Sequence, residues 1–128
     1  MHDLAKTHLP PLGAVVVGGG PAGAGLLLAA RGAGLLDALL ALPIRIIERG
    51  DAVGAGELGG YAIRSDSHAE SFLRAVEAQA EPRLSLAFST PAGREVSQRR
   101  GGPVDLSAAS AFLNGACEEL RGALAASG

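Results

Sequence analysis

Leu12 to Ala30 reads LGAVVVGGGPAGAGLLLAA, and this stretch decides the fold. Ala14-Val15-Val16-Val17 is a short, uncharged, largely β-branched run, the composition of a strand buried on both faces. Gly18-Gly19-Gly20-Pro21-Ala22-Gly23 follows and satisfies G-x-G-x-x-G through Gly18, Gly20 and Gly23. Leu26, Leu27, Leu28, Ala29 and Ala30 then suit a helix. Strand, glycine turn and helix in this order give the pattern its meaning.

Each glycine has a positional reason. Gly18 lets the chain reverse tightly out of the strand. Gly20 admits the backbone close to a pyrophosphate, and Gly23 lets the helix pack closely on the strand. Pro21 fits the first helical turn, where an N–H is unpaired in any case. The free N–H groups of that turn and the positive end of the helix dipole favour an anion. A dinucleotide is the ligand such a turn suits. Two other readings stay open: a glycine-rich turn without ligand, and a signal or membrane span. Pro10 to Ala30 is uncharged and long enough to cross a bilayer. Against a span stand its glycines and Pro21, and a basic flank resting on Lys6 alone beside Asp3.

The chain has 128 residues, enough for one domain. Hydrophobic residues make up 48% but aromatic ones only 3%, so the core must be built from Ala, Val, Leu and Ile. The net charge of −2 carries no basic surplus, which argues against nucleic acid and anionic membrane as partners. Cys117 is the one cysteine. It excludes an internal disulfide and suits a reducing cytoplasm.

Before the glycine turn, residues 1–11 read as a flexible leader ending in Pro10-Pro11, with His2 and His8 as solvated tail residues. After the turn, a helix is expected to about Ala30 or Arg31, broken by Gly32 and Gly34. Leu35 to Leu42 looks like a second helical piece, ended by Pro43. Ile44-Arg45-Ile46-Ile47-Glu48 then reads as a second strand, giving a βαβ unit with parallel strands. Glu48 at its end can accept hydrogen bonds from both ribose hydroxyls. It stands 25 residues beyond Gly23, against a usual spacing of roughly 20. The Leu35–Leu42 piece accounts for the difference. An acid here also repels a 2′-phosphate and argues against NADP.

Val53 to Tyr61, with Gly54, Gly56, Gly59 and Gly60, is expected to be loop, either approaching a flat ligand closely or simply mobile. Ser67 and Glu70 form a capping box. Ala69, Phe72, Leu73, Val76 and Ala80 then keep helical spacing up to Pro82, which places His68 in an exposed first turn. Leu84 to Phe88 reads as a short strand or irregular loop. Arg99 and Arg100 open a polar turn and belong to a solvated face, although they could reach a phosphate. A last helix begins near Asp105 or Ser107, with Leu106, Ala109, Leu113, Ala116, Leu120 and Leu124 on one stripe. Cys117 lies beside that stripe as a packed thiol.

Val15 to Gly23 together with Ile44-Arg45-Ile46-Ile47-Glu48-Arg49-Gly50 resembles the N-terminal part of FAD-dependent oxidoreductases and monooxygenases with the glutathione-reductase-like nucleotide fold. Gly59 to Ser67 is similar, less specifically, to a loop after the second strand in some members. The resemblance covers roughly the first half of the chain. It implies an α/β, Rossmann-type fold over residues 12–128 with parallel strands and additional helices, incomplete beside family members that run well beyond 300 residues. It implies that Gly18, Gly19, Gly20, Pro21, Ala22 and Gly23 hold the FAD pyrophosphate, Glu48 the ribose, and Arg49 the adenine side. The strands and domain that shape a flavin pocket are absent from the sequence, so the chain is expected either to be a fragment or truncated product of such a protein, or to be completed by a further domain or a partner chain.

The expected function is therefore an FAD-binding domain of a flavin-dependent oxidoreductase, acting on an unidentified small molecule. An NAD-binding dehydrogenase domain shares the same turn and acid. A non-catalytic interaction module on the same plan is the third reading. No residue has a partner spacing that marks it as catalytic, and no metal-ligand pattern occurs.

Overall fold

The computed structural model describes residues 13–41, 43–77 and 86–126. The expected leader, with His2 and His8, lies outside them, as do Leu42, Ala80 and Leu84. The protein is mixed α/β. Strand β1 (Ala14–Val17) and strand β2 (Ile44–Ile47) pair in parallel, from Ala14 opposite Ile44 to Val17 opposite Ile47. The ladder extends one bond past each end, where the Gly13 N–H donates to the Pro43 carbonyl and the Gly18 N–H to that of Ile47, both at 2.8 Å. Parallel neighbours need a crossover. Helix α1 (Pro21–Gly32) and the single turn α2 (Leu36–Leu39) supply it.

Helix α1 starts with Pro21 at its first position and runs through Gly32, slightly past the expected end. Gly34 ends it at φ +71°, a conformation that L side chains rarely adopt. The Leu35 N–H donates to the Ala30 carbonyl at 2.8 Å and the Gly34 N–H to that of Arg31 at 2.9 Å. This is the Schellman arrangement, and it satisfies carbonyls that would otherwise lack donors. The second piece is shorter than the Leu35–Leu42 stretch suggests because the chain must reach Pro43 and turn into β2.

The expectation that β1 is buried on both faces is corrected. Val15 is 49% exposed, Val17 82% and Ile47 52%. These residues share one face of the pair, since Val17 stands opposite Ile47. No residue of β1 or β2 belongs to the main core cluster among the described residues. The core is mostly helical. It gathers Leu28, Leu73, Val76, Val96 and Val104 around Phe112, Ala116 and Leu120 of helix α6 (Leu106–Ala126). The ring of Phe88 meets Phe112 edge-on at 5.4 Å between centroids, so the few aromatics concentrate here.

Between Tyr61 and Asp105 the chain departs further from expectation. Strand β3 (Arg64–His68) pairs antiparallel with β4 (Pro103–Asp105), a second small sheet. The pairing is irregular, and the buried Ser65 hydroxyl fills the gap by accepting from the Val104 N–H at 3.2 Å. The expected capping box is overturned. Ser67 lies in β3, and helix α3 (Ala69–Glu77) is capped from outside. Its Ala69 N–H donates to the Gly102 carbonyl at 2.8 Å and its Glu70 N–H to that of Arg100 at 3.0 Å. His68 is exposed but closes a strand instead of opening a helix.

Leu86–Ser89 is a helical turn (α4), not strand or loop. Helix α5 (Pro91–Gln98) follows, capped by the Thr90 hydroxyl, which accepts from the Gly93 N–H at 3.0 Å. Gly93 has a steric duty here: a Cβ on it would run into the Ala87 carbonyl. Helix α6 starts at Leu106, as the periodicity implies, and buries Leu106, Ala109, Leu113, Ala116 and Leu120. None of the helices among the described residues is long and apolar enough to cross a membrane.

Candidate functional site

The glycine turn sits where β1 hands over to α1. Gly18 takes φ +93°, with open space where a Cβ would point, so its requirement is conformational. At Gly23 the requirement is steric, because a Cβ would drive into the Gly18 carbonyl oxygen, far inside van der Waals contact. Gly20 is the N-cap of α1 and offers no side chain to the first N–H groups; no acid lies in the first turn. Pro21 contributes no N–H. The Ala22 and Gly23 N–H groups are thus left at the positive end of a three-turn helix. An open cleft of about 470 Å³ runs over Val16, Val17, Gly18, Gly20, Ala22 and Gly23.

Glu48 follows β2 directly, and its carboxylate reaches the turn. Oε2 accepts from the Gly19 N–H at 2.6 Å and Oε1 from the Gly50 N–H at 2.8 Å. The Gly50 bond first, and the Gly19 bond next, hold its pKa below the ordinary 4.5. The group is therefore ionised at neutral pH. A carboxylate has about four acceptor positions, so roughly two remain open. Arg49 is exposed and ion-paired with Glu57. Together Glu48, Arg49, Gly56, Glu57 and Asn114 border a second cleft of about 320 Å³.

The glycine-rich loop from Val53 to Tyr61 has a structural task. Its Gly54 N–H donates to the Gly19 carbonyl at 2.7 Å. A Cβ on Gly56 would stand 3.1 Å from the Gly20 Cα, and one on Gly54 would stand 2.7 Å from Asn114 Oδ1. The close approach expected of this loop is thus to the turn and to α6. Leu58–Gly60 forms a single 3-10 turn against α6, and Gly59 faces Ser110, whose Oγ would stand 2.6 Å from an added Cβ.

The structure therefore brings Gly18, Gly19, Gly20, Pro21, Ala22, Gly23 and Glu48 to one place, with Arg49 turned to Glu57 beside it. Arg99 and Arg100 are elsewhere, and Arg100 pairs with Glu77 and Glu70. Cys117 is half-buried, and burial pushes its thiol up to about 11. Asn114 escaped sequence reading. Its Oδ1 accepts from the Ala55 N–H at 2.9 Å and so pins the loop to α6. The available signal was a polar residue directly beside the apolar stripe, next to Leu113.

Comparison with protein families, with curated proteins and with solved structures finds no match to this chain. What fold and site define together is a mixed α/β protein with a parallel strand pair, whose glycine turn is tied to an acidic strand end.

Proposed function

We propose that the chain is a dinucleotide-binding unit of Rossmann type, and that its ligand is FAD. One observation supports this above the rest. The Gly23 position is closed to any side chain by the Gly18 carbonyl, while the acid from β2 meets the same turn at 2.6 Å. The residues fit the group. The Ala22 and Gly23 N–H groups face an anion at the start of α1, and the cleft over Gly18 to Gly23 leaves room for a diphosphate. Glu48 retains acceptor positions for ribose hydroxyls, and the neighbouring cleft at Arg49 and Asn114 has room for a base. FAD when bound supplies hydride and electron transfer through its isoalloxazine. The residues of this chain bind and orient the nucleotide half. Glu48, the carboxylate that meets the turn, stays ionised at neutral pH.

The parent activity in this reading is a flavin-dependent oxidation–reduction of a small molecule. The bare face of Val15, Val17 and Ile47 supports a further domain or partner chain that packs there. A cytoplasmic setting suits the free thiol. NAD shares the same turn and acid. A module without cofactor is favoured by one observation: Glu48 ties the turn through the chain's own Gly19 and Gly50 N–H groups.

Calorimetric titration of the purified chain with FAD, NAD and ADP separates these readings. Binding of FAD and ADP, with a rise in melting temperature, is the expected result. Heat from NAD but not FAD would shift the assignment to a dehydrogenase domain. A melt unmoved by all three would leave the module.

A further inference from the structure

Beside the Asp51–Val53 loop lies a further cavity of about 330 Å³, which shares only Asp51 and Ala52 with the cleft at Arg49 and Asn114. Ala24 and Leu27 of α1, Ile46 of β2, Val53, and Cys117 and Leu120 of α6 form its walls. All are apolar or, for Cys117, uncharged at neutral pH. The space is at the lower end of the range for small-molecule sites, room for a single ring or a short branched hydrocarbon. Three charged residues complete its border: Asp51, Glu118 and Arg121. Arg121 and Glu118 neutralise each other at 2.5 Å along α6. Asp51 has no ion-pair or hydrogen-bond partner for its carboxylate among the described residues. The border therefore carries one uncompensated negative charge beside an apolar interior.

We infer that this cavity binds a small apolar amine, its hydrocarbon body against Leu27, Ile46 and Leu120 and its ammonium at Asp51. The apolar walls reward a hydrocarbon, while the lone carboxylate selects the sign of the charged end. A carboxylate ligand of the same shape would meet Asp51 unfavourably. A neutral one would gain the walls alone.

The probes are phenethylamine, ethylbenzene and phenylacetate, titrated separately into the full chain and followed through its methyl NMR signals. Saturable shifts are expected at the Leu27, Ile46, Val53 and Leu120 methyls, with phenethylamine bound roughly fivefold more tightly than ethylbenzene. Phenylacetate should bind most weakly of the three. Asp51→Asn lies at the exposed border, leaves the walls intact and should abolish the preference for the amine. Cys117→Met, which fills the cavity, should weaken all three. Absence of shifts at these methyls with every probe would overturn the inference. Equal binding of amine and carboxylate, or a preference that survives Asp51→Asn, would overturn it as well. Adding ADP to the same sample reads the glycine turn separately, so failure at one site leaves the other measurable.

Discussion

At the residue scale, Gly23 and Glu48 make different and separable contributions. Gly23→Ala places a methyl group against the Gly18 carbonyl, and nothing but the backbone of β1 or α1 can yield. Overpacking of this kind costs about 1–3 kcal/mol or more. Gly25, two residues further on, faces open space. Gly25→Ala should therefore stabilise α1 by roughly 0.5–1 kcal/mol, because alanine loses less entropy in a helix. Urea unfolding of the two variants side by side checks both signs. Glu48 has a lowered folded pKa because of the Gly50 and Gly19 bonds. The stability it lends is fully present above its unfolded value, near 4.5, and is lost as the pH falls through the folded value. Acid titration of stability should show this loss in the native chain, and Glu48→Gln should flatten it. Cys117 runs the opposite way. Its thiol, raised to about 11, stays protonated at neutral pH, so alkylation should be slow at pH 7 and speed up only towards pH 11.

At the element scale, legibility followed whether the local signal and the tertiary demand agreed. The turn between β1 and α1 was readable because its glycines answer local sterics, at Gly18 by φ and at Gly23 by contact. Helix α6 was readable because a sustained apolar stripe faces a core on one side only. Strand β3, Arg64-Ser65-Asp66-Ser67-His68, was not readable. It has no apolar alternation, and its order comes from pairing with β4 and from the Ser65 hydroxyl. The Ser67–Glu70 capping box does not form because Ser67 is held in β3 and the carbonyls of Arg100 and Gly102 accept from the α3 N–H groups. Helix α5 did carry a signal, Thr90 followed by Pro91, an N-cap and a first-turn proline. Thr90→Ala removes the oxygen that meets the Gly93 N–H and should cost about 1 kcal/mol in denaturant unfolding, with the fold retained.

At the scale of the whole molecule, the helical core and the parallel strand pair differ in what holds them. Phe112 is buried at the centre of the core, and Phe112→Ala should cost about 3–5 kcal/mol in an unfolding experiment. Val17 is mostly exposed on the bare strand face, and Val17→Thr should change stability by less than about 0.5 kcal/mol. The same substitution should weaken any association that covers this face, read by sedimentation or by co-purification with a completing partner. The composition already announced a small-residue core. It could not announce that the core would lie among helices, because apolar β1 and β2 read as buried on both faces until their neighbours are known. The site was legible in its glycines and acid, and illegible in Asn114 and Glu57, whose roles depend on α6 and the 53–61 loop meeting in space.

The central claim is that the turn from Gly18 to Gly23, with Glu48 beside it, holds the diphosphate of a nucleotide. Amide NMR of the labelled chain during titration with ADP, the half common to FAD and NAD, tests it most directly. Saturable shifts are expected at Gly19, Gly20, Ala22, Gly23 and Gly50, weakened in Glu48→Gln. Amide signals in this turn that stay unmoved at saturating ADP would contradict it.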